Sequence, residues 1–130
     1  MPVTRFEELK VWQRARLFYK EVHLLTRRRE FSRDYAMIDQ MRRAALSVMN
    51  NIAEGFERFR RNEFMQYLST SKASAGEVRS MIYAAFDVGY IDERTQLAMV
   101  AQAEEVGKMI TSFRTGLERS APKSTLRTKD

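Results

Sequence analysis

A chain of 130 residues, 44% of them hydrophobic, has the length of one domain with a proper core. It has no cysteine, which excludes disulfides and thiolate metal sites, and no apolar run approaches the ~18 residues of a membrane span. Its formal charge of +6 is uneven: residues 1–61 hold 14 Lys and Arg against 8 Asp and Glu, while residues 62–130 hold 9 of each. The positive field therefore belongs to the first half of the chain. An asymmetric basic face suits a polyanionic partner, nucleic acid above all; the plainer alternative is that the arginines only solubilise a surface. The opening MPVTRFEELK has no hydrophobic signal region, so a cytoplasmic location without a membrane partner is expected. Pro2 and Pro122 leave everything between them free to be helical.

Thr4 and Glu7 make a capping box, which predicts a first helix over about 5–29. Its apolar positions are Leu9, Val11, Trp12, Ala15, Phe18, Tyr19, Val22 and Leu25, and the pattern fails at Arg27, Arg28 and Arg29. Three arginines at a helix C-terminus complement the macrodipole; they would equally make a phosphate-contacting corner.

Ser32 is a good N-cap and Asp34 suits a first turn, predicting a second helix over about 33–57. Winding it at 100° per residue puts Ile38, Met41, Ala45, Val48, Ile52 and Phe56 on one stripe, widened by Met37 and Ala44 on one side and by Leu46, Met49 and Ala53 on the other. The apolar arc is roughly 200° wide, about twice what a one-sided helix needs. Such a helix is central in its own bundle or buried a second time against another subunit. Opposite the arc runs a polar strip of Arg43, Ser47, Asn50 and Glu54, with Asn51 beside it. At spacings of three and four these side chains form a row in mutual reach: a ligand site, or a hydrogen-bonded network tying the helix to a neighbour. Glu77, on the next helix, is a further candidate partner. Gly55 sits where glycine commonly closes a helix.

The link Arg58-Phe59-Arg60-Arg61 is short, so helices two and three are expected to be antiparallel neighbours. Its arginines and ring could hold a nucleic-acid backbone and stack a base, or form a basic turn with Phe59 tucked against the bundle. Asn62 is the expected cap of a third helix, about 62–88, with a heptad-like seam of Phe64, Leu68, Ser71, Ala75, Val78, Ile82 and Ala85. Its middle, Ser69 to Gly76, is almost all small, which lets a neighbour come close. Gly89 ends it. Asp92 caps a fourth helix, about 92–119, with Met99, Ala103, Val106, Ile110, Phe113 and Leu117 on its seam. Residues 120–130, with Lys123, Arg127 and Lys129, lose the pattern and read as a disordered basic tail. Four amphipathic helices with short links over 1–119 make an all-α fold, an antiparallel up-down-up-down four-helix bundle.

The order R-R-A-A-x-S-x-x-x-N-I-A-E-G from Arg42 to Gly55, the opening Phe6 to Trp12 (FEELKVW) and the turn Gly89-Tyr90-Ile91 together resemble a family of four-helix-bundle proteins. That family is named for proteins encoded in intervening sequences of large-subunit (23S) ribosomal RNA genes. The resemblance spans about residues 5–118. It implies a ring-shaped homo-oligomer, a pentamer. Related bundles that accompany diversity-generating reverse transcriptases are basic oligomers thought to engage nucleic acid and the transcriptase. By analogy, RNA or DNA is the expected partner here, with an acidic protein partner as the alternative.

Motifs for chemistry are missing. Di-iron bundles need paired Glu-x-x-His, whereas the only histidine, His23, has Lys20 three residues before it. The five glycines are too scattered for a phosphate loop, and a Ser-His-Asp arrangement would rest entirely on His23. No catalytic residue, cofactor or metal is therefore expected. The residues proposed to contact nucleic acid are Arg27, Arg28, Arg29, Arg42, Arg43, Arg58, Arg60 and Arg61.

Overall fold

Four α-helices run alternately up and down: α1 Lys10–Thr26, α2 Tyr35–Glu57, α3 Arg61–Asp87 and α4 Glu93–Arg119. They are seen in a computed structural model that describes residues 2–120, so the basic tail expected over 120–130 lies outside the described residues but for Ser120. Each helix packs against its chain neighbours, most extensively α2 on α3, and α4 closes against α1. Among the described residues there is no strand. The architecture is the expected four-helix bundle.

Periodicity explains the core. All seven seam positions of α3, from Phe64 to Ala85, are buried, as are Met99, Ala103, Val106, Ile110 and Leu117 of α4. On α2 the central stripe of Met41, Ala45, Val48, Ile52 and Phe56 is buried, while Ile38, Met49 and Ala53 are half-buried. The bundle itself thus takes up most of the wide arc; Leu46 is left 37% exposed.

The α2–α3 contact is close where its residues are small. A Cβ placed on Gly55 would lie 2.7 Å from Tyr67 Cβ and 2.8 Å from Phe64 Cδ1, far inside van der Waals contact. Gly55 is therefore a close-approach residue within α2, not its closing cap. Ser71 Oγ donates to the Val48 carbonyl at 2.6 Å and Ser47 Oγ meets Ser74 Oγ at 2.8 Å, so the hydroxyls that accompany small size are satisfied.

The helix ends differ from expectation in ways the packing explains. The chain enters through a 3₁₀ turn, Phe6–Glu8, in which the Glu8 carboxylate accepts from Thr4 N–H at 3.1 Å and Arg5 N–H at 3.4 Å. Glu7 instead pairs with Arg5 at 2.7 Å, so Thr4 and Glu7 form no capping box and α1 begins only at Lys10. It stops at Thr26, leaving Arg28 and Arg29 beyond the helix. A second 3₁₀ turn, Arg29–Phe31, drives the Phe31 ring into the core. That turn delays α2, whose N-cap is Asp34 rather than Ser32. At the other end of α2, Phe59 takes the left-handed conformation (φ 62°) that glycine usually fills, and 58% of it is exposed rather than tucked against the bundle. Arg60 flanks α3 as its N-cap residue, so Asn62 lies within the first turn instead of capping it. Gly89, at φ 85°, ends α3: Tyr90 N–H donates to Ala85 O and Gly89 N–H to Phe86 O, the two hydrogen bonds of a Schellman ending. Asp92 caps α4 through Thr95 N–H, as expected.

Candidate nucleic-acid interface

The eight arginines singled out from the sequence do not form one patch. Arg27, Arg28 and Arg29 lie at the α1–α2 corner, and Arg58, Arg60 and Arg61 at the α2–α3 turn. The 23 residues of α2 separate the two groups by roughly 34 Å at 1.5 Å per residue.

At the α2–α3 end most of the charge is engaged. Arg58 contacts Glu54 at 3.4 Å and Glu63 at 3.8 Å, and also donates to Tyr67 Oη at 2.7 Å. Arg61 reaches the carbonyls of Leu117 and Ser120, each at 3.4 Å, clasping the last turn of α4. Arg60 is exposed. In mid-bundle, Arg43 pairs with Asp39 at 2.8 Å. Half-buried Arg42 donates Nε–H to Thr26 Oγ1 at 2.8 Å, fastening α2 to the end of α1.

The polar strip is not a continuous row either. Asn51 folds back on Ser47, donating to its carbonyl and hydroxyl at 2.8 Å each, and Ser47 meets Ser74 on α3. Glu54 turns the other way, accepting from Arg58 and from Tyr67 Oη at 3.2 Å. Asn50 and Glu77 are exposed. The strip is a helix–helix tie at Ser47 and Asn51 and a surface ion-pair group at Glu54. His23 Nδ1 lies 3.0 Å from Tyr19 Oη one turn earlier. Burial, then the charges of Arg42 and Arg27, hold its pKa below the ordinary value of 6.5. Among the described residues no group of three or more His, Cys, Asp or Glu side chains could hold a metal ion.

The corner is different. Arg27, Arg28 and Arg29 are exposed, and none of them has a carboxylate within ion-pair distance among the described residues. Arg28 makes one long contact, 3.5 Å to Thr95 Oγ1. Of the acids at this corner, Asp34 and Asp92 are occupied by structure, while Glu30 is exposed in the same turn as Arg29 and makes no ion pair with it. Asp34 accepts from Met37 N–H at 3.1 Å and from Tyr90 Oη at 2.8 Å, and that second bond is the first cause of the raised pKa of Tyr90. Asp92 is held below the usual carboxylate range chiefly by its bond from Thr95 N–H, with smaller help from the charges of Arg28 and Arg94, neither of which comes within ion-pair distance. Phe31, stacked obliquely on Tyr90 with ring centroids 5.0 Å apart, pins the corner to the α3–α4 turn. The turn that carries the arginines is therefore packed against the body of the bundle.

Two corner residues escaped the sequence reading: exposed Arg33 and Tyr35, the latter 76% exposed. The available signal was an aromatic among arginines, the same one that Arg58-Phe59-Arg60 carries.

The model of the 23S rRNA-intervening sequence proteins matches residues 7–112, from the entry turn deep into α4. The chain belongs to this family. The span matched to the 23S rRNA-intervening sequence proteins includes the arginine corner and Gly55. A solved structure from Bacteroides thetaiotaomicron, described as a protein of unknown function from the S23 ribosomal protein family, matches with a TM-score of 0.72 at 18% identity, covering 80% of this chain and 97% of that one. At that identity the likeness is one of fold. No curated protein matches the chain. No described helix is long and apolar enough to cross a membrane.

Proposed function

We propose that this protein is a non-enzymatic, self-associating helical bundle of the cytoplasm. It binds the backbone of RNA or DNA with little sequence preference, and the Arg27–Arg29 corner is the contact. The observation that carries this reading is that three adjacent, exposed guanidinium groups lack the carboxylate partners that Arg43 and Arg58 have. Unpaired arginines cost least to bring to a phosphate, since no existing ion pair is broken. Self-association draws support from Leu17 and Leu24 on the outer face of α1, 55% and 45% exposed, and from Leu46 on α2. A ring of five copies would repeat the corner and multiply weak contacts by avidity.

The same exposed arginines also suit a second reading, an adaptor that recruits an acidic protein. The salt dependence of binding separates the two. Three phosphate contacts per corner give log K against log salt a slope of roughly −3 on duplex DNA, steeper if several corners engage. Fluorescence anisotropy with a labelled oligonucleotide across 50–200 mM salt (on the order of physiological strength) reads that slope. An affinity flat across the range contradicts the phosphate reading. A protein complex that survives both nuclease and salt supports the adaptor.

A further inference from the structure

Tyr35 is the most exposed large apolar-bodied side chain among the described residues, at 76%. It is the first residue of α2, and the chain around it, Arg27-Arg28-Arg29-Glu30-Phe31-Ser32-Arg33-Asp34-Tyr35, brings four arginines to the same corner. Its neighbours Phe31 and Tyr90 are aromatic too, yet both serve the fold. Phe31 is fully buried against Tyr90, and Tyr90 donates to Asp34. Tyr35 has no such part in the packing. Among the described residues no side-chain hydrogen bond, ring contact or cation–π contact involves it. Helix formation gives no reason for a tyrosine there either, since aromatic residues are middling helix formers.

A solvent-facing ring at the same corner as exposed guanidinium groups without an ion pair is the arrangement that proteins use for unpaired bases. The cations follow the backbone while the ring stacks a base, and every base offers a π-face. Duplex bases are already stacked on each other and present only their edges in the grooves. We infer that the corner is a single-strand site, in which one unpaired base stacks on Tyr35 while Arg27, Arg28, Arg29 and Arg33 hold the flanking phosphates. This inference rests on the backbone-binding reading above and narrows it to single-stranded RNA or DNA.

The test compares a labelled oligo(dT) and an oligo(U) with a duplex of the same length, using the full chain, its Tyr35→Leu variant and its Tyr35→Phe variant. Leucine keeps apolar bulk and removes the π-face, and the exposure of Tyr35 means that both variants fold. The expected results are tighter binding of the single strands than of the duplex, and a loss of roughly 5- to 150-fold on single strands in Tyr35→Leu. Tyr35→Phe is expected to bind like the parent, and the salt slope of Tyr35→Leu to be unchanged because no charge is removed. Equal loss on single strands and duplex, or no loss in Tyr35→Leu, overturns the stacking site while leaving backbone binding intact. If neither form of nucleic acid binds even at low salt, the backbone reading falls with it.

Discussion

Gly55→Ala is expected to destabilise the bundle by roughly 1–3 kcal/mol, whereas the same change at Gly76 is expected to stabilise it by up to about 1 kcal/mol. Both glycines lie inside helices, where alanine is intrinsically better because glycine loses more backbone entropy on folding. Their surroundings set the opposite signs. The new methyl at Gly55 would meet Tyr67 Cβ at 2.7 Å and a Phe64 ring carbon at 2.8 Å. Neither neighbour can give way cheaply. The Tyr67 contact is a Cβ tied to its own backbone, and its hydroxyl is held by Arg58 and Glu54. Phe64 is wedged edge-on between Phe56 and Phe113, with centroids 6.0 Å and 5.6 Å away. The α2–α3 spacing must open, and it does so beside the Ser47–Ser74 and Ser71–Val48 hydrogen bonds. At Gly76 nothing stands within 4 Å of the added carbon. Urea midpoints of the two variants read the signs; a Gly55→Ala variant as stable as the parent would mean that the helices are not in this contact.

Phe31→Ala is expected to cost about 3–5 kcal/mol, the range for truncating a fully buried phenylalanine. The ring is 0% exposed and comes from a connecting turn, not from a helix. It is the anchor that holds the α1–α2 link against Tyr90, and Tyr90 in turn holds the N-cap Asp34. Its loss leaves a cavity at a place where three elements meet, so relaxation cannot fill it without moving the arginine corner. Chemical denaturation measures the cost. A loss under about 1 kcal/mol would show that the corner is held by something else.

Much of this fold was legible in the sequence because burial here follows a single period. The seam of α3 could be written down residue by residue, since a four-helix bundle asks each helix only for one apolar face. The features that were misread depend on a second element. Gly55 looks like a cap when only α2 is in view, and its role appears once α3 presses on it. Ser32 is the better cap by position, but Phe31 needs to reach the core and draws residues 29–31 into a tight turn, leaving Asp34 to cap α2. The candidate site suffered in the same way. Six of the eight arginines lie at the two ends of a rod, with Arg42 and Arg43 on α2 between them, and whether each is paired depends on carboxylates such as Glu63, which a one-dimensional reading does not bring near Arg58. The strip of Arg43, Ser47, Asn50 and Glu54 has the right spacing for a row, yet Arg43, Ser47 and Glu54 each found a stronger partner off the row, and Asn50 faces solvent.

The claim that the unpaired corner, rather than basic charge in general, binds nucleic acid is tested most directly by two charge-matched variants. One carries Arg27→Gln, Arg28→Gln and Arg29→Gln; the other carries Arg14→Gln, Arg43→Gln and Arg58→Gln, which removes three arginines already paired with Glu105, Asp39 and Glu54. Binding to one duplex oligonucleotide is measured for both across a salt series. The corner variant is predicted to lose affinity and to flatten the salt slope by roughly 3, about one unit per lost phosphate contact, while the other keeps the slope of the parent. Equal losses in the two variants, or an unaffected corner variant, would contradict the account.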